Sequence, residues 1–265
     1  MLRVENITYE INKRTLVKNL SFSMHCGELV AVLGANGAGK STLVKMLSGE
    51  KKNSEGNILL NGKPVHSYGS AELALKRAVL SQHNVVNVDF LVKEIVMMGR
   101  YPHYRNNPGV RDQEIVQQTM DICGVSELEE RSILTLSGGE QQRVQLARVL
   151  AQIWDCPGAL LIMDEPVSGM DIQYQQQTLA IVAALARKGF MVIAVLHDIN
   201  LAAQYADRIL MLKNGRKWHD GTPAEVLNTK NVYNIFSIEA EVSLSLHSLK
   251  PYVLPREVII DAGMG

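Results

Sequence analysis

Gly34-Ala35-Asn36-Gly37-Ala38-Gly39-Lys40-Ser41-Thr42, reached from the apolar run Leu29-Val30-Ala31-Val32-Leu33, decides how this chain folds. An apolar run that ends in glycines reads as a strand buried on both faces, the kind that a parallel sheet holds at its centre. The spacing GxxxxGK[ST] then predicts a loop whose backbone N–H groups lie bare, because glycines lack the Cβ that keeps an anion away. Leu43, Met46 and Leu47 follow at helical spacing, so the loop opens onto the positive end of a helix. Gly34, Asn36, Gly37, Gly39, Lys40, Ser41 and Thr42 are therefore the candidate phosphate-binding set. Lys40 suits the β- and γ-phosphates of a nucleotide, and the Ser41 hydroxyl suits Mg²⁺. Kinases, GTPases, helicases and transport ATPases all use such a loop, so residues elsewhere must decide among them.

Working outward, Val4–Tyr9 and the alternation Leu16, Leu20, Phe22, Met24 predict strands upstream. Ile58-Leu59-Leu60 with Asn61-Gly62 predicts a strand and tight turn, and Ala78–Ser81 a further short strand. From about Asn84 to Pro157 the pattern is helical, over Val92–Met98, Gln113–Cys123 and Gly138–Gln152. Strand–helix alternation then returns: Ala159–Met163, Ile172–Arg187, Met191–Leu196, a helix from about Asn200, and Ile209–Leu212 with a turn at Asn214-Gly215. Interleaved strands and helices indicate an α/β fold with a mainly parallel sheet, an antiparallel β region at its start and an inserted helical subdomain. Thr222-Pro223 opens another helix, and Glu241–Ile260 reads as a short hairpin. The expected division is a single domain over 1–265, with a core of 1–83 and 158–240, a helical lobe of 84–157 and an extension of 241–265.

Composition excludes several function classes. Lys plus Arg number 27 and Asp plus Glu also 27, so no net basic field draws the chain to nucleic acid. Cys26, Cys123 and Cys156 are far apart and odd in number, which reads as reduced structural thiols rather than a disulfide framework or zinc site. Met1–Glu5 enters an alternating pattern without the apolar core of a signal peptide, and no stretch approaches the roughly 20 apolar residues of a membrane span. The expectation is a cytosolic chain that meets a membrane through a partner.

A second nucleotide half-site is legible downstream. Ala159–Met163 is a buried strand that delivers Asp164 and Glu165 to the sheet's C-terminal edge. Asp164 suits Mg²⁺, and Glu165 suits a base that polarises the attacking water. Leu136-Ser137-Gly138-Gly139-Glu140-Gln141 places a Ser cap and two bare glycines at a helix start, which serves either as an ordinary cap or as another phosphate-binding surface.

LSGGEQ, together with the loop at Gly34–Ser41, resembles the nucleotide-binding subunit of ABC (ATP-binding cassette) transporters, and the resemblance covers nearly the whole chain. It implies a P-loop NTPase (RecA-like) fold, ATP and Mg²⁺ as cofactors, and ATP hydrolysis by a pair of copies. The signature of one copy would face the P-loop of the other, so that Ser137, Gly138 and Gly139 contact the γ-phosphate in trans. Tyr9 resembles the residue that stacks on adenine. Gln82 resembles the Q-loop glutamine, which links Mg²⁺ and the γ-phosphate to the membrane partner. His197 matches the switch histidine, which acts with Glu165 and Lys40 in catalysis. Ser168-Gly169-Met170-Asp171 departs from the usual SALD of the D-loop, and Val167 replaces a usual threonine; the extra glycine loosens that loop.

Val96–His103, Glu140–Gln152, Asp171–Gln176 and Val253–Arg256 resemble the importer branch for iron chelates, haem and cobalamin, and are most similar to subunits that energise haemin import. Iron–siderophore or cobalamin import is the alternative cargo. A soluble cassette acting on DNA, the ribosome or iron–sulfur assembly is the competing class, although the chain carries neither heptads nor a second P-loop. The resemblance implies a second copy, integral permease subunits and, indirectly, a periplasmic or surface substrate-binding protein as partners. It also implies a peripheral place on the cytoplasmic face of the inner membrane and no nucleic-acid partner.

Overall fold

The computed structural model describes residues 1–81, 88–246 and 248–257. β1 (Leu2–Ile11) and β2 (Arg14–Met24) form an antiparallel hairpin, closed by Asn12 and Lys13 at φ 50° and 64°. β3 (Leu29–Leu33) runs through the glycine loop into α1 (Lys40–Leu47). β4 (Glu55–Leu60), β5 (Lys63–Pro64), α2 (Ser70–Ala74) and β6 (Arg77–Leu80) come next. α3 (Val92–Met98), α4 (Val110–Ile122) and α5 (Gly138–Ile153) separate β6 from β7 (Leu160–Asp164). The chain then alternates through α6 (Ile172–Arg187), β8 (Met191–Val195), α7 (Ile199–Tyr205), β9 (Arg208–Lys213) and β10 (Arg216–Gly221). It finishes with α8 (Pro223–Val226), α9 (Thr229–Phe236), β11 (Ala240–Leu244) and β12 (Pro251–Pro255).

The main sheet has the order β10-β9-β3-β8-β7-β6, parallel except for the β9–β10 hairpin, and β2-β1-β4-β5 is a separate antiparallel sheet. Side chains alternate across each strand, and β3 divides accordingly. Val30 and Val32 face a core shared with α1 and the antiparallel sheet, while Leu29, Ala31 and Leu33 face a second core built with the helices of the far side. β7 divides the same way, with Leu160 and Ile162 in the first core and Leu161 and Met163 in the second. Both faces are covered, which is why these strands read as unbroken apolar runs. Each fully buried Leu, Ile or Met contributes roughly 1.5–3 kcal/mol.

The helical segment is fastened by close packing and one buried cation. Gly99 follows α3 against the backbone of α5, where a Cβ would overlap the Arg148 carbonyl. Arg100, only 2% exposed, donates Nε to Asp112 at 2.9 Å, Nη1 to Asp155 at 2.9 Å and to the Ala151 carbonyl at 2.8 Å. Removing one partner of such a buried pair costs about 3–5 kcal/mol. The hydrogen bond from Arg100 holds the Asp155 carboxyl below the usual carboxylate range.

Most predicted elements appear, and α6 has the predicted limits. α4 starts at Val110 rather than Gln113 because Asp112 Oδ2 accepts from Gly109 N at 2.9 Å and caps an extra turn. The helix predicted at Thr222-Pro223 divides in two: α8 stops, and Asn228 accepts from Asn231 N at 2.9 Å to start α9. The tail hairpin is β11–β12, with residues 258–260 of the predicted segment outside the described residues.

Candidate nucleotide site

Gly39, the residue before α1, has φ 100°, and a Cβ there would come within 2.8 Å of the Leu16 carbonyl. Gly34 is needed for a different reason: its Cβ would stand 2.5 Å from the Leu212 carbonyl of the neighbouring strand β9. The glycine loop is thus pressed against the sheet on one side while its other side stays open. Lys40, 6% exposed, arches back to donate to the Gly34 and Ala35 carbonyls at 2.7 and 3.1 Å. Burial pushes its ammonium pKa down, while Glu165 and Asp164 pull the other way.

β7 ends at Asp164, beside the loop. Its carboxyl is buried, accepts a hydrogen bond from Ser41, and has its pKa raised by desolvation first and by Glu165 as well. Asp164 Oδ1 is a buried oxygen with no hydrogen-bond partner. An orphaned carboxylate oxygen next to a hydroxyl is a donor set that suits a hard cation such as Mg²⁺. Glu165 departs from the strand at φ 55°, a left-handed conformation that costs a non-glycine residue about 1–3 kcal/mol. That turn directs its side chain to His197, beyond the end of β8, with Nε2 and Oε1 at 2.5 Å. Arg14, Leu16, Asn36, Gly37, Ala38, Gly39, Lys40, Ser41, Thr42, Glu165 and His197 enclose one cleft of about 260 Å³.

None of the described residues of 136–141 lines that cleft. Ser137 caps α5: its backbone N and Oγ donate to Glu140 Oε2 at 2.8 and 2.7 Å, which holds the Glu140 carboxyl below its ordinary pKa. Gly138 and Gly139 have no positive φ, and a Cβ at either would meet nothing within 4 Å. This chain by itself has no steric need for either glycine. Gln142 Nε2 donates to the Ser168 carbonyl at 2.7 Å, and the Arg143 guanidinium lies 3.8 Å from the Tyr174 ring centroid. Those two contacts join the signature helix to the segment after β7.

One expected residue, Tyr9, does not line the cleft. It is half-buried in β1, with its hydroxyl accepting from Lys51 Nζ at 3.0 Å. The rim on that side is made by Arg14 and Leu16, which sequence reasoning passed over. The turn at Asn12-Lys13 that carries them back to the loop was the available signal. Gln82 lies outside the described residues.

The ABC transporter family matches residues 17–168. The chain is 42% identical over 258 residues to the hemin import ATP-binding protein HmuV of Gloeobacter violaceus, covering 96% of this chain and 94% of that one. The HmuV of Pseudomonas aeruginosa is also 42% identical, over 97% of this chain and all of its own length (100%). This chain belongs to the ABC transporter family. Among solved structures, an ABC transporter in an inward-facing conformation superposes with a TM-score of 0.80 at 26% identity, covering 97% of both chains. CbiO1 from Clostridium perfringens, part of the ABC transporter complex cbiONQ, gives 0.74 at 28% identity over 88% of this chain and 92% of that one.

As an ABC ATPase the chain is a nucleotide-binding, ATP-hydrolysing subunit, and its fold is the P-loop cassette. Its departure in the D-loop acquires a physical content. Gly169 stands at φ 75°, where alanine is strained, and Met170 is buried with its sulfur accepting from Thr178 Oγ1 at 3.6 Å. The loop is therefore anchored by Met170, not loosened throughout.

Proposed function

We propose that this chain hydrolyses MgATP as a closed pair of copies and thereby energises an importer whose cargo is haem. The observation that carries the two-copy reading is the bare pair Gly138-Gly139. Their own chain leaves them sterically free, so the close approach they permit belongs to the triphosphate held by the other copy. One helix terminus contributes at most about 2 kcal/mol, some thirtyfold, so closure also draws on the P-loop.

Lys40 would exchange its two carbonyl partners for phosphate oxygens, whose negative charge would offset the desolvation of its ammonium group. Asp164 and Ser41 would hold Mg²⁺, which screens the β- and γ-phosphate charge when bound. Glu165 would polarise the attacking water while His197 keeps its carboxylate in position and reaches the γ-phosphate. Gly34, Asn36, Gly37, Gly39 and Thr42 would complete the cradle. Adenine would stack on the rim; Tyr9 is one candidate, and Arg14 with Leu16 lie nearer the cleft.

Permease subunits would dock on the helical lobe, proposed as residues 84–157, with 1–83 and 158–240 as the core and 241–265 as an extension. A groove of about 600 Å³ between α3 and α4, lined by Met97, Met98, Tyr101 and Tyr104 among others, offers apolar surface for a permease helix. Among the described residues no helix is long and apolar enough to cross a membrane, so membrane attachment would run through that contact, on the cytoplasmic face. The cargo rests on the names of the relatives; siderophore or cobalamin import is the alternative.

Two experiments test this reading. Glu165→Gln should keep ATP binding and trap an ATP-dependent dimer in size-exclusion chromatography; a protein that stays monomeric with saturating ATP contradicts it. Vesicles holding the co-purifying permease should accumulate haem on addition of ATP, and uptake of a siderophore instead would reassign the cargo.

A further inference from the structure

We propose that His103, Asp155 and Cys156 form a binding site for one thiophilic divalent transition-metal ion of the class of Zn²⁺ or Co²⁺. The site stands apart from the nucleotide cleft and does not depend on its reading. His103 ends the 3₁₀ turn Tyr101–His103 that follows α3, and Asp155 and Cys156 come just after α5. Sequence spacing hides the cluster because its members lie on two segments. In the fold, one imidazole nitrogen, one carboxylate oxygen and one thiol sulfur lie within 4.8 Å of one another. Tetrahedral bonds of about 2.0–2.3 Å put donors roughly 3.3–3.8 Å apart, so side-chain rotations of about 1 Å close the triangle around an ion. A solvent molecule completes the fourth position.

The orientation of His103 is the second observation. Its Nε2 lies 2.7 Å from the Gln152 carbonyl, which can only accept, so Nε2 carries the ring proton. Nδ1 then presents a lone pair toward Asp155 Oδ1, 3.9 Å away, which is itself an acceptor. Two acceptors turned toward each other at this distance offer their lone pairs to a group placed between them, and a metal ion is such a group. Metal-bound imidazoles are oriented by this same donation from the far nitrogen to a carbonyl. The carbonyl belongs to a residue that is itself fastened: Gln152 Nε2 donates to the Ala74 and Arg77 carbonyls at 2.7 and 3.1 Å.

Charge and softness narrow the ion. Arg100 occupies both Asp155 oxygens at 2.9 and 3.1 Å, but each keeps a second lone pair. Arg100 and Lys76 do not fully offset Asp112, Asp155 and a Cys156 thiolate, so the cluster stays net negative and favours a cation. A cysteine sulfur beside an imidazole nitrogen suits metals with strong sulfur affinity rather than Mg²⁺ and Ca²⁺, which take oxygen ligands.

The test uses the full nucleotide-free chain titrated with Co²⁺, read by thiolate-to-cobalt charge-transfer absorption and by equilibrium dialysis. One Co²⁺ per chain with a thiolate band, displaced by Zn²⁺, is expected. Cys156→Ser should abolish the band, and His103→Gln should weaken binding by at least about tenfold, while Cys26→Ser, which alters an exposed thiol, changes neither. His103→Gln carries the test even if the cysteine variant folds poorly, since its carboxamide can still donate to the Gln152 carbonyl. The proposal is overturned by a wild-type chain that binds no Co²⁺, by a band that survives Cys156→Ser, or by one lost in Cys26→Ser.

Discussion

Gly139→Asp should separate the stability of one copy from the pairing of two. Gly139 is the second residue of α5, and a Cβ there meets nothing within 4 Å. A carboxylate at that position faces the positive end of the helix and stabilises it by about 0.3–1 kcal/mol; Asp also exceeds Gly in helix propensity. The thermal midpoint of the isolated chain should hold or rise slightly. Against a γ-phosphate the sign reverses. A carboxylate about 4 Å from one phosphate charge costs about 4 kcal/mol at an effective dielectric of 20, close to a thousandfold. In a Glu165→Gln background, ATP-dependent dimer measured by analytical ultracentrifugation should disappear, while ATP binding to each monomer persists. A dimer of undiminished strength refutes the reasoning, and so does a fall in the thermal midpoint, which would show that the chain needs the glycine for itself.

Lys40→Ala should weaken ATP binding and abolish hydrolysis, and unchanged turnover in a phosphate-release assay would remove the P-loop from the account. Asp164→Asn should give opposite signs for stability and activity. Desolvation raises the Asp164 pKa, so the folded state holds that proton more tightly than the unfolded one. Its charged form destabilises the empty protein above the folded pKa, and the penalty lifts as pH falls through that value. The Asn variant should therefore melt higher at neutral pH in calorimetry while losing Mg²⁺-dependent turnover; a lower melting point contradicts the sign. Gly99→Ala should cost about 1–3 kcal/mol by overpacking against the Arg148 carbonyl, visible as a shifted urea midpoint, and a neutral result would show that α3 and α5 separate easily.

The strand–loop–helix at Leu29–Leu47 and the strand ending at Asp164 were legible because local pattern and tertiary place agree there. A strand covered on both faces must be apolar throughout, and a loop pressed on Leu212 and open to phosphate must be glycine-rich. α2 and α9 were missed for the opposite reason. Ser70–Ala74 is too short to show a period, and α9 is separated from α8 by an Asn228 cap that resembles any polar turn residue. The long-range polar groupings were invisible: Arg100 finds Asp112 and Asp155 only once α3, α4 and α5 are packed. Tyr9 illustrates the converse. An aromatic residue at a suitable distance upstream reads as an adenine platform, but the hairpin brings Arg14 and Leu16 to the cleft and leaves Tyr9 with Lys51.

Complementation between two inactive variants tests the composite site most directly. Lys40→Ala removes a P-loop and Gly139→Asp removes a signature, so each homodimer lacks both sites. A mixed dimer joins the intact P-loop of one variant to the intact signature of the other, and mixing the two proteins should restore ATP hydrolysis that neither shows alone. A mixture as inactive as its separate components, at concentrations where mixed dimers are demonstrated, would contradict a site shared between copies.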